Sequence, residues 1–306
     1  MTISEFIKHP IVRYYLVHPI ILFQNRLVVL RLSLNRYVGQ DSSFTKNAPK
    51  SNLKIDIVIP VIEKDLETLP YVIDSVRENI RHPIGNIFLI SPSSNKIEKV
   101  CKHKKCKFIF EEDLIKISKK DIPYKVNGVD RSGWLYQQLL KWSADKIPGI
   151  GDAFLITDAD TVYCRPQVFE HNNKIILSVS HQFCHIPYFD AIKKLTGKSI
   201  KPIYNVTSHH SLFELEKLSE IKKQIEKHTG KVWYRAIISL ANSTEGSCVS
   251  DYETYGQLVY ILYPKDYLLE HWFNGSISYK KRSEVGKLVK IYTDRYKSLS
   301  FHTYNK

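Results

Sequence analysis

Two aspartates one residue apart, Asp158 and Asp160, close a short apolar run, Ala153–Thr157. Bringing two negative charges to the mouth of a buried strand costs free energy unless a counter-charge compensates. A divalent cation bridging to a diphosphate is such a counter-charge. Mn2+ and Mg2+ take carboxylate, phosphate and water oxygens, so either is the expected cofactor. Its chemistry would be Lewis-acid stabilisation of a departing diphosphate. The pattern alone also describes a solvated turn; what raises it is the strand before it and the Thr161-Val162 pair after it.

The elements that must position these carboxylates are legible from periodicity. Ile55 to Val61 is an apolar run ended by Pro60, as a strand covered on both faces requires. Leu69, Val72, Ile73, Val76 and Ile80 form one stripe of a helix, with Thr68 as its cap and Pro70 in the first turn. Asn86–Ser91 and Lys107–Phe110 read as further strands, Gly133–Ala144 as a helix and Ala153–Thr157 as a fourth strand. Strands alternating with helices at this spacing predict an α/β fold with a mostly parallel sheet flanked by helices. Ligands in such sheets bind beyond the carboxyl ends of the strands, where Asp158 and Asp160 stand.

Beyond Asp160 the pattern loosens. Lys174–Val179 is an expected strand. Phe213–His228, Val232–Asn242 and Asp251–Leu262 are expected helices, and Tyr292–His302 an expected final strand.

Several blocks together resemble the GT-A glycosyltransferases, the nucleotide-sugar enzymes with an Asp-x-Asp signature, and most of all a bacterial branch found among surface-polysaccharide enzymes. They are Ile57-Val58-Ile59-Pro60-Val61 followed by Asp65, Arg131 to Lys141, Phe154 to Val162, Ser208 to Phe213, Ser250 to Gly256, and Ser300-Phe301-His302-Thr303-Tyr304. The resemblance spans roughly residues 53 to 305 and implies a GT-A-like, Rossmann-like catalytic domain over residues 51–306.

The resemblance also implies roles. Asp158 and Asp160 would hold the metal, Asp160 more directly, with a late histidine added: His302 first, His271 second. Pro60, Val61 and Asp65 would form the donor loop. Arg131, at a helix start where backbone N–H groups favour anions, would meet the donor phosphates. Gln137, Gln138 and Lys141 would reach the donor or face water, while Trp134, Leu135, Leu139 and Trp142 form the helix's buried side. Asp251 and Glu253 are candidates for the base that takes the acceptor hydroxyl proton. Glu253 is preferred, because Asp251 already has a structural role as an N-cap. A capping pair without chemistry explains the two equally simply. His209 and His210 resemble an acceptor-side block, although packing accounts for adjacent histidines as well.

The charge balance points the same way without deciding. Lys plus Arg is 45 and Asp plus Glu is 31, a net charge of +14, which favours anionic partners. The five cysteines are odd in number and scattered, as expected of free thiols in a reducing compartment. Cys101 and Cys106 bracket three lysines, which oppose a zinc ion.

Residues 1–50 lie outside the resemblance. They hold seven Lys or Arg against Glu5 and Asp41, with an apolar stretch from Ile11 to Leu34 interrupted by arginines. That composition fits an interfacial segment drawn to anionic lipid better than a span, and a helix packed on the catalytic body is the alternative. Residues 40–53 read as a polar linker.

The expectation is a metal-dependent transferase moving a sugar from a nucleotide-diphosphate donor to a hydroxyl of a glycan, itself lipid-linked. It would sit peripherally on the cytoplasmic face of a bacterial inner membrane, in capsule or lipopolysaccharide O-antigen synthesis. Two other classes compete. Asp158 to Val162 also fits the first motif of haloacid-dehalogenase-like phosphatases, but strands precede it and no later Asp-Asp block follows. A basic nucleic-acid-binding module fits the charge but lacks any clamp, knuckle or aromatic-basic strand motif, so no nucleic-acid partner is expected.

Overall fold

The computed structural model describes residues 10–44 and 49–302. Glu5, part of the 40–53 segment, and Thr303-Tyr304 of the last resemblance block fall outside them. The labelled elements run in chain order. First come α1 (Pro10–Val17), α2 (Pro19–Leu34), β1 (Ile55–Pro60), α3 (Leu69–Asn79), β2 (Ile84–Ser91), α4 (Asn95–His103) and β3 (Lys107–Phe110). Then follow α5 (Ser132–Trp142), β4 (Ala153–Thr157), β5 (Thr161–Tyr163), β6 (Lys174–Val179), α6 (Ile186–Thr196), β7 (His210–Glu214) and α7 (Leu215–Thr229). The last are α8 (Trp233–Ile238), α9 (Asp251–Leu262), β8 (Tyr267–His271), β9 (Asn274–Ser278), α10 (Val285–Tyr292) and β10 (Ser298–His302).

The central sheet has the order β7-β4-β1-β2-β3. β4, β1, β2 and β3 are parallel, and β7 joins β4 antiparallel at the edge. All six residues of β1 and all five of β4 are buried, which is why both read as unbroken apolar runs rather than alternations. Asp56 is the exception inside β1. Its carboxylate accepts from Asn86 N at 2.6 Å and Gly151 N at 2.7 Å, tying β1 to both neighbours. A Cβ on Gly85 would stand 2.3 Å from Asp56 Oδ1, so only glycine fits that approach.

Two smaller sheets complete the body. One joins β8 to β6 in parallel, with a two-residue strand at Glu170–His171 on the far side. The other places β10 between β9 and β5.

Three expectations are corrected. Residues 210–214 form strand β7 before α7 begins, because they complete the edge of the central sheet; pairing with β4 overrides a helical reading that began at Phe213. The segment expected as a strand from Tyr292 closes α10 first, and only Ser298–His302 is extended. Thr68 does not cap α3 with its side chain; its hydroxyl donates instead to Asp65 O and Ala159 O, each at 3.0 Å.

The linker reading of residues 40–53 also fails over its first part. Asp41, Ser42 and Ser43 are buried in the body. Lys297 Nζ, itself fully buried, lies 2.9 Å from Asp41 Oδ2 and 2.6 Å from Glu270 Oε1. Ser42 donates to Glu270 from N and from Oγ, each at 2.9 Å. Upstream, Asn25 Nδ2 donates to Ile203 O at 2.9 Å, Tyr15 is buried, and Arg26 stacks on Phe183 with 4.0 Å to the ring centroid. The segment is therefore docked on the body along one face. Its other face exposes Leu16, Ile20, Phe23, Leu27, Leu30 and Leu34 at alternating spacings of four and three. Among the described residues, no helix is long and apolar enough to cross a membrane.

Candidate active site

The loops that follow β1, β2, β3 and β4 leave the sheet at one edge and line one cleft of about 880 Å³. Pro60, Val61 and Asp65 come from the end of β1, Glu111 and Glu112 from the end of β3, and Asp158 and Asp160 from the end of β4. Arg131, Gln138 and Lys141 enter from α5, and Asp251 and Tyr252 from the start of α9.

Asp158 is held from every side. Its backbone N donates to His209 O at 3.0 Å. Its Oδ1 is 2.7 Å from Lys141 Nζ and accepts from Tyr252 OH at 2.9 Å, and its Oδ2 is 3.2 Å from His209 Nδ1. Burial opposes the ionised carboxyl, but Lys141 and His209 overcome it and hold Asp158 far below the usual carboxylate range. Lys141 is buried and lies 3.4 Å from Asp251 Oδ2, so it bridges two carboxylates. Burial raises the Asp251 carboxyl to about 6, against the pull of Lys141 and with the push of Asp158.

Asp160 is less committed. Its carboxylate is a quarter exposed, at 26%, with His302 Nδ1 3.5 Å from Oδ2. β10 brings this histidine in. Ser300 pairs with Thr161, their hydroxyls are 2.8 Å apart, and Phe301 N donates to Asp160 O at 3.0 Å. His209 packs beside His302 with 4.6 Å between ring centroids. His209 has φ +64°, a left-handed backbone that non-glycine residues rarely adopt. Burial raises the Asp65 carboxyl to about 6, and Asp160 and Asp158 add to the effect.

These carboxylates, with the His209 and His302 imidazoles, are an oxygen-rich set with nitrogen donors, the chemistry that suits Mn2+ or Mg2+. Among the described residues, no three His, Cys, Asp or Glu side chains already surround one metal position. Asp158 is already engaged by Lys141, Tyr252 and His209, whereas the Asp160 carboxylate is partly exposed with the His302 ring beside it.

Other expected site residues are placed elsewhere. Glu253 lies in the core, off the wall of the cleft. Its Oε2 accepts from Val206 N at 3.0 Å and Thr207 Oγ1 at 3.1 Å, and its Oε1 from Gln257 Nε2 at 2.8 Å. Those bonds pin the 205–207 loop, so the carboxylate preferred as base is an internal tie. Ser250, not Asp251, caps α9, its side chain accepting from Glu253 N at 3.2 Å. That frees Asp251 from the role that had ranked it second. His210 is buried between Ser178 Oγ at 3.0 Å and Ser208 O at 2.8 Å, with its ring 3.9 Å from Trp272, so it packs rather than binds an acceptor. His271 lines a second cleft and not the first, away from the two aspartates. Trp134 is only half-buried and lines the first cleft under Arg131, whose guanidinium is 4.8 Å from its ring.

Tyr252 was not anticipated, although it stands between the two carboxylates that were. Glu111 and Glu112 were missed because nothing in their local pattern marks them.

A family model described as a family of unknown function, DUF6492, matches residues 52–282. No curated protein matches the sequence. Among solved structures, the chain is similar to mouse xyloside xylosyltransferase 1 in its apo form, at 13% identity and a TM-score of 0.45, over 83% of this chain and 99% of that one. It is similar to the galactosyltransferase LgtC in complex with donor and acceptor sugar analogs, at 11% identity and a TM-score of 0.41, over 82% of this chain and 88% of that one. It is also similar to the apo bifunctional glycosyltransferase WbbM, at 11% identity and a TM-score of 0.43, over 86% of this chain and 48% of that one.

Proposed function

The chain belongs to DUF6492, a family of unknown function, and we propose that it is a glycosyltransferase that moves a sugar from a nucleotide-diphosphate donor to a hydroxyl of a glycan. The observation that supports this best is the placement of Asp158 and Asp160 where a parallel strand opens into the larger cleft, with Arg131 and Lys141 on the same wall. The two aspartates at the strand end, with the Arg131 guanidinium lining the same cleft, suit a diphosphate carried with a divalent cation.

Asp160 and His302 would hold Mn2+ or Mg2+, with Asp158 behind them. When bound, such an ion neutralises the diphosphate as it leaves. The chain's own residues do the rest. Lys141 and Tyr252 fix the Asp158 carboxylate, and Arg131 offers its guanidinium toward the donor phosphates. Its Nε is already anchored on Gly246 O at 2.8 Å, which leaves the two terminal nitrogens for a ligand. Asp251 replaces Glu253 as the carboxylate positioned to take an acceptor proton, since it lines the cleft and burial raises its pKa.

The wider setting is part of the same proposal. The acceptor is lipid-linked, and the enzyme works peripherally on the cytoplasmic face of a bacterial inner membrane, building capsule or O-antigen. The exposed apolar stripe of α1 and α2, flanked by Arg31, supports a lipid surface as a partner. The bacterial polysaccharide role rests on the resemblance of the sequence blocks.

Calorimetric titration of nucleotide sugars, with and without Mn2+, tests the reading. Uptake of at least one sugar nucleotide that requires Mn2+ is expected. Absence of metal-coupled uptake across uridine, guanosine, cytidine and thymidine donors would defeat it.

A further inference from the structure

A second cleft of about 500 Å³ adjoins the first, and Gln182, Thr207, His209 and His302 line both. Its chemistry is the opposite of its neighbour's. Among the described residues no aspartate or glutamate lines it, whereas Arg36, Arg295, His181 and His271 do.

His271 is the informative residue. It ends β8, is 4% exposed, and among the described residues neither ring nitrogen has a hydrogen-bond partner. A buried polar atom left without a partner is destabilising. A neutral imidazole offers one N–H and one acceptor nitrogen. Burial, with Lys297 and His181 nearby, lowers the His271 pKa to about 4, so the ring is neutral at physiological pH. A group entering the cleft is what can satisfy it.

The two arginines define that group's charge. Arg36 follows α2, and its guanidinium stacks on Phe44 with 4.2 Å to the centroid. It donates to Asp294 O at 2.6 Å and to Arg295 O at 3.3 Å, which leaves further N–H donors. Arg295 is exposed, and among the described residues its guanidinium makes no ion pair or hydrogen bond. Two guanidinium groups and an unpartnered imidazole around one acid-free cleft fit a phosphate better than a neutral sugar ring.

We infer that this second cleft binds a phosphate group of the acceptor, held by Arg36, Arg295 and His271, an inference that rests on reading the first cleft as the donor site. The shared rim at His209 and His302 lets an acceptor anchored by its phosphate present a hydroxyl to the donor cleft. The phosphate could belong to a soluble sugar phosphate or to a lipid carrier. Leu34, Tyr37 and Val38, exposed on either side of Arg36, favour a carrier with a tail.

The test titrates inorganic phosphate and, separately, dodecyl phosphate into the full chain by calorimetry, with EDTA present. Arg295→Gln, Arg36→Gln and His271→Asn are titrated alongside. Both phosphates should bind the parent, and each should lose tenfold or more in affinity in Arg295→Gln and His271→Asn. Arg295 is exposed, so its variant stays informative if the buried His271 variant unfolds. Tighter binding of dodecyl phosphate assigns a lipid-carried acceptor, and equal binding assigns a small phosphorylated one. Failure of both phosphates to bind the parent, or equal affinity in parent and Arg295→Gln, overturns the inference. A parallel titration of nucleoside diphosphates with Mn2+ separates the two readings. Phosphate binding that is lost in the variants, with no metal-coupled nucleotide uptake in any protein, would sink the donor site and uphold the anion cleft.

Discussion

Lys141 Nζ stands 2.7 Å from Asp158 Oδ1, and the lysine is almost wholly withdrawn from water. The same ammonium is 3.4 Å from Asp251 Oδ2 and 4.1 Å from the centroid of the Tyr252 ring. One buried cation thus organises the first aspartate of the motif, the proposed base and Tyr252. Burying a charge is costly unless it is paired, and here each charge is the other's justification. Asp158 is consequently a positioning residue, and Asp160 remains the carboxylate with capacity to spare.

Replacing Lys141 by methionine keeps the volume and removes the charge, leaving Asp158 and Asp251 buried together. Breaking a buried pair by removing one partner costs about 3–5 kcal/mol. We expect Lys141→Met to lose stability on that scale in urea denaturation at pH 7.5, and to recover part of it at pH 5, where Asp251 can take up a proton. A variant as stable as the parent at pH 7.5 would mean that the bridge is not formed.

Asp160→Ala should behave differently. The side chain is partly exposed, with the His302 ring 3.5 Å from its Oδ2. Removing it should change the melting temperature little, while Mn2+-dependent nucleotide binding falls below detection. Metal-coupled binding retained within threefold of the parent would show that Asp160 is not a ligand.

How much of this was legible in the sequence follows a physical divide. β1, β2, β3, β4 and α9 were readable because each is a continuous apolar run or a capped periodic stretch. Local pattern sufficed for them. β7 was hidden because an edge strand is decided by its partner: Phe213 pairs with Phe154 across the sheet, and no local signal records that. The site divides in the same way. Asp158, Asp160 and His302 were named from spacing and resemblance. That Asp251 turns to the cleft and Glu253 to the 205–207 loop, both buried, was not, because two residues apart on a helix differ in direction by about 200° at 3.6 residues per turn, and only packing says what each direction meets. Arg36 and Arg295 meet across almost the whole chain, and nothing in either neighbourhood foretells the other.

Glu253 gives a pH prediction with a definite sign. Burial raises its pKa to about 7, above the ordinary carboxylate value, despite hydrogen bonds from Gln257, Thr207 and Val206. A raised folded-state pKa means that the folded chain holds the proton more tightly than the unfolded one. The stability from this group is therefore full below about pH 4.5 and is lost as pH rises through about 7. Glu253→Gln cannot ionise. The melting temperature of the variant minus that of the parent should climb between pH 4.5 and pH 7.5, with nucleotide binding unchanged. Transfer should also persist, because this side chain does not reach the cleft. A flat difference across that range would place the carboxylate in a better-hydrated position than the core, and loss of transfer with intact binding would restore it as the base.

The apolar stripe on α1 and α2 yields the remaining prediction. Phe23 is 67% exposed and Leu27 52%, one helical turn apart and away from the face that carries Asn25. Deleting the whole segment would be a poor test, because Tyr15, Asn25 and Asp41 are part of the packed body and their loss would unfold it locally. Phe23→Ser with Leu27→Ser alters only the outward face. Burial of one such side chain in an apolar phase is worth about 1.5–3 kcal/mol, so the pair should weaken binding to vesicles by well over tenfold. Sedimentation with vesicles containing phosphatidylglycerol reads this directly, and added salt should weaken the parent further as the contribution of Arg31 and its neighbours is screened. If the double variant sediments with vesicles as the parent does, the stripe is not the membrane contact. If the parent ignores vesicles but is dimeric, and the variant is monomeric, the stripe is instead where two copies meet, a use its alternating spacing of four and three also permits.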